Sequence, residues 1–211
     1  KMAISLCDQV LEKHPNFPEI ILLKGRALTD IGKFEEAMPY LFRTIELDKD
    51  QYWKTAWANG YLGTCYYAKS MFDSSEVYLR KCIDMGATTM STKYAWTNIY
   101  HFGFDVFFRD WKVEEAGKFR FHFQMPTEVT DSVEFIKNRT HTLDSLNRIF
   151  KATLPKKIDF FVWNTNEEAE KILKAKLSFS RPEVCLIHSL YDRPLGYEIT
   201  LILLEQISIP D

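Results

Sequence analysis

The 211-residue sequence has no excess of charge of either sign, no long apolar run and only four cysteines. Its formal net charge is −2, so we do not expect a general binder of nucleic acid or of anionic membranes. It has no run of roughly 18 apolar residues, which predicts the absence of a transmembrane segment. The cysteines are far apart and include no CxxC pair, which argues against zinc ligation by cysteine. Composition does not indicate a localisation.

Two stretches near the amino terminus share one spacing of small and large residues. Counted from Pro18, small residues lie at positions 8 and 20, and large apolar residues lie at positions 11, 17 and 24. The residues concerned are Gly25, Leu28, Phe34, Ala37 and Leu41, and the second stretch has Gly63, Tyr66, Phe72, Ser75 and Leu79 in the same order. This spacing resembles the tetratricopeptide repeat, a hairpin of two helices about 34 residues long.

The same register extends to both sides of these stretches. It predicts that Lys1–Asn16 is the second helix of a repeat whose first helix is absent from the sequence. Gly25 and Gly63 are 38 residues apart instead of about 34. The excess of about four residues predicts an irregular junction near Asp50–Thr55. The predicted repeat domain spans residues 1–90.

The resemblance implies a function as well as a fold. Tetratricopeptide repeats form an α-solenoid, which has no chemistry of its own and presents a concave surface to protein or peptide partners. We expect the first helix of each repeat to line that surface, with Lys24 and Asn59 as the polar contacts. The predicted partner-binding residues are Ile21, Lys24, Leu28, Asn59, Leu62 and Tyr66.

Aromatic residues are frequent at 15% of the chain, and many lie in residues 94–111. Five of them recur at steps of three and four, namely Trp96, Tyr100, Phe104, Phe107 and Trp111. This period predicts one helix within residues 91–114 that caps the last repeat and links it to the following domain. The alternative is an exposed aromatic wall that binds a peptide or a sugar.

Residues 115–211 have the pattern of a small α+β domain. Strands are predicted at residues 118–124, 157–163 and 184–190, where alternating or continuous apolar residues occur. Helices are predicted from Asp131 to about 150, over residues 167–174, and from Pro194 to residue 206. The fold class predicted for the whole chain is therefore multidomain, an α-solenoid followed by an α+β domain.

The last predicted helix contains the sequence Tyr197-Glu198-Ile199-Thr200-Leu201. This element order and motif resemble the front half of a gluzincin-type zinc metallopeptidase domain, whose helix carries HExxH. The resemblance implies that Tyr197 and Leu201 occupy the two histidine positions and that Glu198 is a remnant general base. Leucine has no donor atom and tyrosine rarely binds zinc, so we predict no metal and no cofactor. An unrelated α+β domain remains the alternative.

Two functions follow from these resemblances. The first is a protein- or peptide-binding scaffold with a catalytically dead peptidase-like domain, which we expect to be incomplete in this sequence. The second is a zinc-dependent metallopeptidase completed by unconventional ligands or by residues outside this chain. His188 is the histidine nearest to Glu198 in sequence. It is either a replacement ligand for the zinc or a hydrogen-bonded residue of the predicted strand. The loss of both histidine ligands favours the scaffold over the enzyme.

Overall fold

The computed structural model of the chain describes residues 2–207. The chain divides into two compact units, Lys1–Phe104 and Asp105–Asp211. The segment 91–114, which the sequence predicts to be one linking helix, is therefore divided between the two units.

The N-terminal unit consists of helices in its described part. They are α1 (Met2–Lys13), α2 (Pro18–Asp30), α3 (Phe34–Leu47), α4 (Trp53–Ala68), α5 (Phe72–Met85) and α6 (Thr89–His101). Pro18 begins α2 at a position where the missing amide proton costs nothing. Gly86 ends α5 in the left-handed region, at φ +53°, where glycine has no Cβ to be strained.

These helices alternate between two layers. The first helix of each hairpin packs on the next one, α2 on α4 and α4 on α6, whereas successive second helices approach each other only weakly within the described chain. Closer packing of one layer is what a curved solenoid requires on its inner side. The core between the layers includes Leu28, Leu41, Leu62 and Cys65, all buried.

The junction between α3 and α4 is irregular. Gln51 has a φ of 45°, and the buried carboxylate of Asp48 replaces an ordinary helix cap. Its Oδ2 accepts hydrogen bonds from the backbone amides of Tyr52 and Thr55, each at 3.0 Å, and from Thr55 Oγ1 at 2.8 Å. Burial alone would raise the pKa of Asp48, but these hydrogen bonds outweigh it and hold the pKa below its usual value.

The helix predicted to run through residues 94–111 is shorter in the structure. The helix found there is α6, which ends at His101, and Gly103 follows with a φ of 75°. Phe107 lies in a short 3-10 turn, Val106–Phe108, in the C-terminal unit. A chain that turns at Gly103 cannot keep the five aromatic residues on one helical face.

The C-terminal unit contains a mixed five-stranded sheet and three α-helices in its described part. The elements are β1 (Lys112–Ala116), β2 (Phe119–Phe123), α7 (Ser132–Phe150), β3 (Ile158–Trp163), α8 (Asn166–Leu173), β4 (Phe179–Arg181), β5 (Leu186–Leu190) and α9 (Gly196–Glu205). The strand order is β1-β2-β3-β5-β4, in which β2, β3 and β5 are parallel and the outer strands are antiparallel to their neighbours.

Side-chain alternation gives the sheet two different faces. One face packs against α7 and α9 in an apolar core that includes Phe121, Phe160 and Ile187. The opposite face carries rings, with Phe161 stacked on His122 at 4.1 Å and on His188 at 4.5 Å between ring centroids. Side chains cap two of the helices, since Asp131 Oδ1 and Thr165 Oγ1 accept backbone hydrogen bonds at the starts of α7 and α8.

A buried ion pair lies at the beginning of β3. Asp159 is 2% exposed, and its Oδ2 is 2.7 Å from Lys156 Nζ. His122 Nε2 is 3.2 Å from Asp159 Oδ1, and Arg120 Nη1 is 3.7 Å from it. Burial favours the neutral acid, but the hydrogen bond from His122 and the charge of Lys156 lower the pKa of Asp159 to about 2.

Candidate functional site

Three of the predicted partner-binding residues are inside the repeat core. Ile21, Leu28 and Leu62 have exposed fractions of 3%, 2% and 0%. A partner cannot contact them while the helices stay packed. The structure therefore places them in packing, contrary to the expectation that they line the binding surface.

The other three predicted residues face the second helices. Lys24 Nζ bonds Asp8 of α1 and, at 2.6 Å, Tyr40 Oη of α3. Tyr66 is stacked on Tyr78 of α5, with 5.1 Å between ring centroids. Asn59 Nδ2 donates to Met85 Sδ at 3.5 Å. Their role in partner binding stays a prediction, but they do not lie in the surface between neighbouring first helices.

The surface between the first helices contains a different set of residues. A groove of about 280 Å³ runs between α2 and α4. We call it the α2–α4 groove. Its main lining residues are Glu19, Leu23, Arg26, Trp53, Trp57 and Tyr61. Leu23 is 45% and Trp53 is 36% exposed, so the groove offers apolar surface to a partner.

The aromatic wall of the α2–α4 groove is held by ring contacts. Trp57 is stacked on Tyr61 with ring centroids 5.5 Å apart and also contacts Tyr94 of α6 at 5.6 Å. Arg26 lies over the Tyr61 ring at 5.9 Å, and its Nε is a long 3.5 Å from Asp30. Trp57 is thus held by its ring contacts, and Arg26 beside it is only loosely paired. Tryptophan and arginine are both enriched at protein interfaces.

A second groove lies on the other side of the repeat unit, between α3 and α5, and we call it the α3–α5 groove. Its volume is about 580 Å³, and the buried side chain of Asn59 from α4 contributes to its lining. The walls are formed by Phe42, Ile45, Tyr78, Lys81 and Met85. Burial and the neighbouring Tyr66 raise the pKa of Tyr78, so its hydroxyl is a neutral hydrogen-bonding group at pH 7.

The peptidase-like motif lies at the start of α9. Tyr197 is 72% exposed, whereas Glu198 is 8% exposed and its Oε2 has no hydrogen-bond partner within the described residues. Leu201, one turn after Tyr197, supplies no donor atom. Among residues 2–207, no group of three or more histidine, cysteine, aspartate or glutamate side chains could hold a metal ion. The residues present therefore do not fit the zinc site that the resemblance implies.

His188 does not lie on the same face of the sheet as Glu198, so it is not placed to replace a missing zinc ligand there. Ile187 packs with Ile199 in the core beside α9, so alternation directs His188 to the opposite face of the sheet. There the ring is fully buried, and its Nδ1 accepts a hydrogen bond from Trp163 Nε1 at 3.0 Å. This is the hydrogen-bonded strand histidine that the sequence left as one of two options.

The N-terminal part of the chain matches a known family of protein repeats. A family model of the tetratricopeptide repeat matches residues 2–59. The matched segment covers α1, α2, α3 and the first part of α4, so the N-terminal region is similar to a helical repeat of this kind. No curated protein and no solved structure matches the chain. None of the helices within residues 2–207 is both long and apolar enough to cross a membrane.

Tetratricopeptide repeats suggest an interaction scaffold with protein partners. Sequence analysis did not identify Leu23, Arg26, Trp53 and Trp57 as residues of the groove between the first helices. A signal was present, because Trp53 and Trp57 are four residues apart and therefore share one face of α4. Repeat period alone does not show which face of a first helix meets the second layer and which remains open.

Proposed function

We propose that the N-terminal unit binds a protein or peptide partner in the α2–α4 groove. The observation that carries this proposal is the exposure of Leu23 and Trp53 beside a fixed Trp57 between two neighbouring first helices. Burial of such apolar surface drives association, and side chains that are already ordered lose little entropy on binding. Arg26 supplies a polar contact that can orient the partner.

A random library of displayed peptides is selected for binding to the wild-type chain, and the selected peptides are the probe for this groove. We expect Trp57→Ala to weaken binding of the selected peptides by roughly tenfold or more, the effect of losing an aromatic interface anchor. Titration calorimetry of each variant with the same synthetic peptides measures the change. Leu23→Glu should act in the same direction because it places a charge in the apolar groove.

Val77→Glu is the matched control, because Val77 is 51% exposed and lies on α5, away from the α2–α4 groove. It should leave peptide affinity unchanged. Peptides that bind Trp57→Ala and Leu23→Glu as well as the wild type would place the partner elsewhere and refute the proposal for this groove.

We further propose that the C-terminal unit is a peptidase-like domain that does not cleave peptides. Support comes from the arrangement of β5 followed by α9, from the buried Glu198 at the start of that helix, and from the missing ligands at Tyr197 and Leu201. A glutamate without a metal-bound water has no activated nucleophile to deprotonate. In this proposal the C-terminal unit keeps the fold of a peptidase and catalyses no reaction.

Elemental analysis tests the proposal for the C-terminal unit. After dialysis against a zinc-containing buffer and then a zinc-free one, we expect far less than one zinc per chain. We also expect wild type and Glu198→Gln to be equally inactive on unfolded casein. Retention of about one zinc per chain, together with a chelator-sensitive cleavage that Glu198→Gln abolishes, would establish the metallopeptidase instead.

A further inference from the structure

The α3–α5 groove differs from the space at the same place one repeat earlier. Between α1 and α3, Lys24 fills that space, because its Nζ bonds Asp8 and Tyr40 and lies 4.2 Å over the Tyr40 ring. The ammonium of Lys24 therefore already has an ion-pair partner and a hydroxyl partner at this place.

At the α3–α5 groove the two charged positions of the earlier repeat carry apolar residues. Lys24 is replaced by Leu62, 38 residues later, and Tyr40 is replaced in the same step by Tyr78. Phe42 occupies the repeat position of Asp8, 34 residues later, and contacts Tyr78 edge-on with 6.1 Å between ring centroids. Within residues 2–207 the Lys24–Asp8 pair has no counterpart at this place, where a groove of about 580 Å³ lies.

One polar side chain lies where the earlier repeat has an apolar one. Asn59 is the equivalent of Ile21, which is 3% exposed and packs in the core. Asn59 is 6% exposed and lines the groove. Within the described residues its side chain makes one hydrogen bond, to a methionine sulfur at 3.5 Å, and sulfur is a weak acceptor. The amide oxygen and the second amide proton have no partner there.

We propose that the α3–α5 groove is a second binding site, which takes a short extended peptide segment through its main chain. The side-chain amide of Asn59 pairs with one main-chain amide, since each group offers one donor and one acceptor to the other. An apolar side chain of the peptide then lies against Phe42, Ile45 and Tyr78. The volume is within the range of ordinary ligand pockets.

The charges at the rim fit a neutral ligand. Lys81 and Asp84 lie one turn apart on α5, both line the groove, and neither forms an ion pair in the described part of the chain. Lys81 Nζ lies over the Tyr78 ring at 4.6 Å instead. Charges of opposite sign at one rim attract neither a strongly acidic nor a strongly basic segment, whereas an uncharged apolar peptide meets no repulsion.

The experiment uses N-acetyl-leucine N-methylamide, a minimal probe with one apolar side chain between two amides. Nuclear magnetic resonance titration of the wild-type chain should give saturable shifts of the Asn59 side-chain amide and the Met85 methyl group. 3-Methylbutan-1-ol, which has the same apolar group and no amide, should bind at least about fivefold more weakly because it cannot form the two hydrogen bonds.

Asn59→Ile is the decisive variant, because Ile21 shows that this side chain fits the equivalent position. The variant should fold with an unchanged or higher melting temperature and should lose at least about fivefold in affinity for the probe. Val77→Glu, which changes an exposed residue of α5 outside the lining of this groove, should leave the affinity for this probe unchanged.

Three results would overturn the proposal without requiring any variant to fold. They are the absence of saturable shifts at Asn59 in the wild type, equal affinity for the alcohol and the diamide, and shifts confined to the indoles of Trp53 and Trp57. The last result would support the α2–α4 groove alone. Unchanged probe affinity in a folded Asn59→Ile chain would likewise remove the role of its amide.

Discussion

Lys156→Met is expected to lower the free energy of unfolding of the C-terminal unit by about 3 kcal/mol. Lys156 Nζ is 2.7 Å from Asp159 Oδ2, and the two side chains are 4% and 2% exposed. Removal of the cation leaves the carboxylate buried without its nearest opposite charge. We choose the lower end of the range for broken buried ion pairs because His122 and Arg120 still face Asp159.

The neighbouring lysine provides a control within the same loop. The side chain of Lys157 is 41% exposed and pairs with the exposed Glu115, so Lys157→Met should leave stability unchanged within experimental error. Chemical denaturation, followed by the fluorescence of the buried Trp163, measures both variants. Equal stability of Lys156→Met and Lys157→Met would show that the buried pair is not maintained in solution.

The double variant Lys156→Met with Asp159→Leu distinguishes two causes of the loss of stability. One is the lost attraction between the two charges, and the other is the buried carboxylate that is left without its cation. Because burial of both charges carries a desolvation cost, the apolar pair should recover most of the loss caused by Lys156→Met alone. Burial lowers the pKa of Lys156, because the charged ammonium loses its hydration there. A double variant as unstable as the single one would contradict this explanation.

Gly63→Ala is expected to destabilise the repeat unit by about 2 kcal/mol, although alanine is the better helix former. A Cβ at Gly63 would lie 2.6 Å from Leu79 Cγ and 3.1 Å from the carbonyl oxygen of Ser75. The helices α4 and α5 are also held together by Ser75 Oγ, which donates a hydrogen bond to the Gly63 carbonyl at 2.7 Å. They cannot separate to accept a methyl group without straining that bond.

A double-mutant cycle with Leu79→Ala tests the contact directly. Leu79 is fully buried, so its truncation alone should cost about 2–5 kcal/mol. In the double variant the new methyl group enters the space that Leu79 vacates, and the combined loss should be smaller than the sum of the two. Additive losses, measured by thermal and urea denaturation, would mean that Gly63 is not in contact with Leu79.

Gly196→Ala is the control for helix propensity, since a Cβ there meets no atom of residues 2–207 within 4 Å. It should leave the stability of its own unit unchanged or raise it by a few tenths of a kcal/mol. A loss comparable with that of Gly63→Ala would indicate a general intolerance of alanine in these helices.

Local sequence predicted the repeat register because close packing restricts which residues fit. Gly25 and Gly63 each lie against a leucine of the paired helix, so small residues recur at those positions. The caps at Asp131 and Thr165 were also predictable, since a capping side chain bonds amides only three residues away. In these cases the contact that decides the structure is nearby in sequence or is repeated.

Two strands were missed for reasons that follow from their positions. β1 (Lys112–Ala116) and β4 (Phe179–Arg181) are the outer strands of the sheet, and neither contributes a fully buried side chain. β1 reads KVEEA and β4 has three residues, so neither shows an extended apolar alternation. Their pairing depends on hydrogen bonds to β2 and β5, which sequence pattern does not reveal.

The sequence by itself determined that the chain begins as a helical repeat, that a mixed α+β unit follows, and that Tyr197 and Leu201 cannot provide the histidine ligands of a zinc site. Only the tertiary structure decided which repeat residues are open to a partner. It placed Ile21, Leu28 and Leu62 in packing and left Trp57 and Asn59 lining grooves. Periodicity specifies which face of its helix a side chain occupies, but the exposure of that side chain depends on how closely neighbouring helices pack against that face.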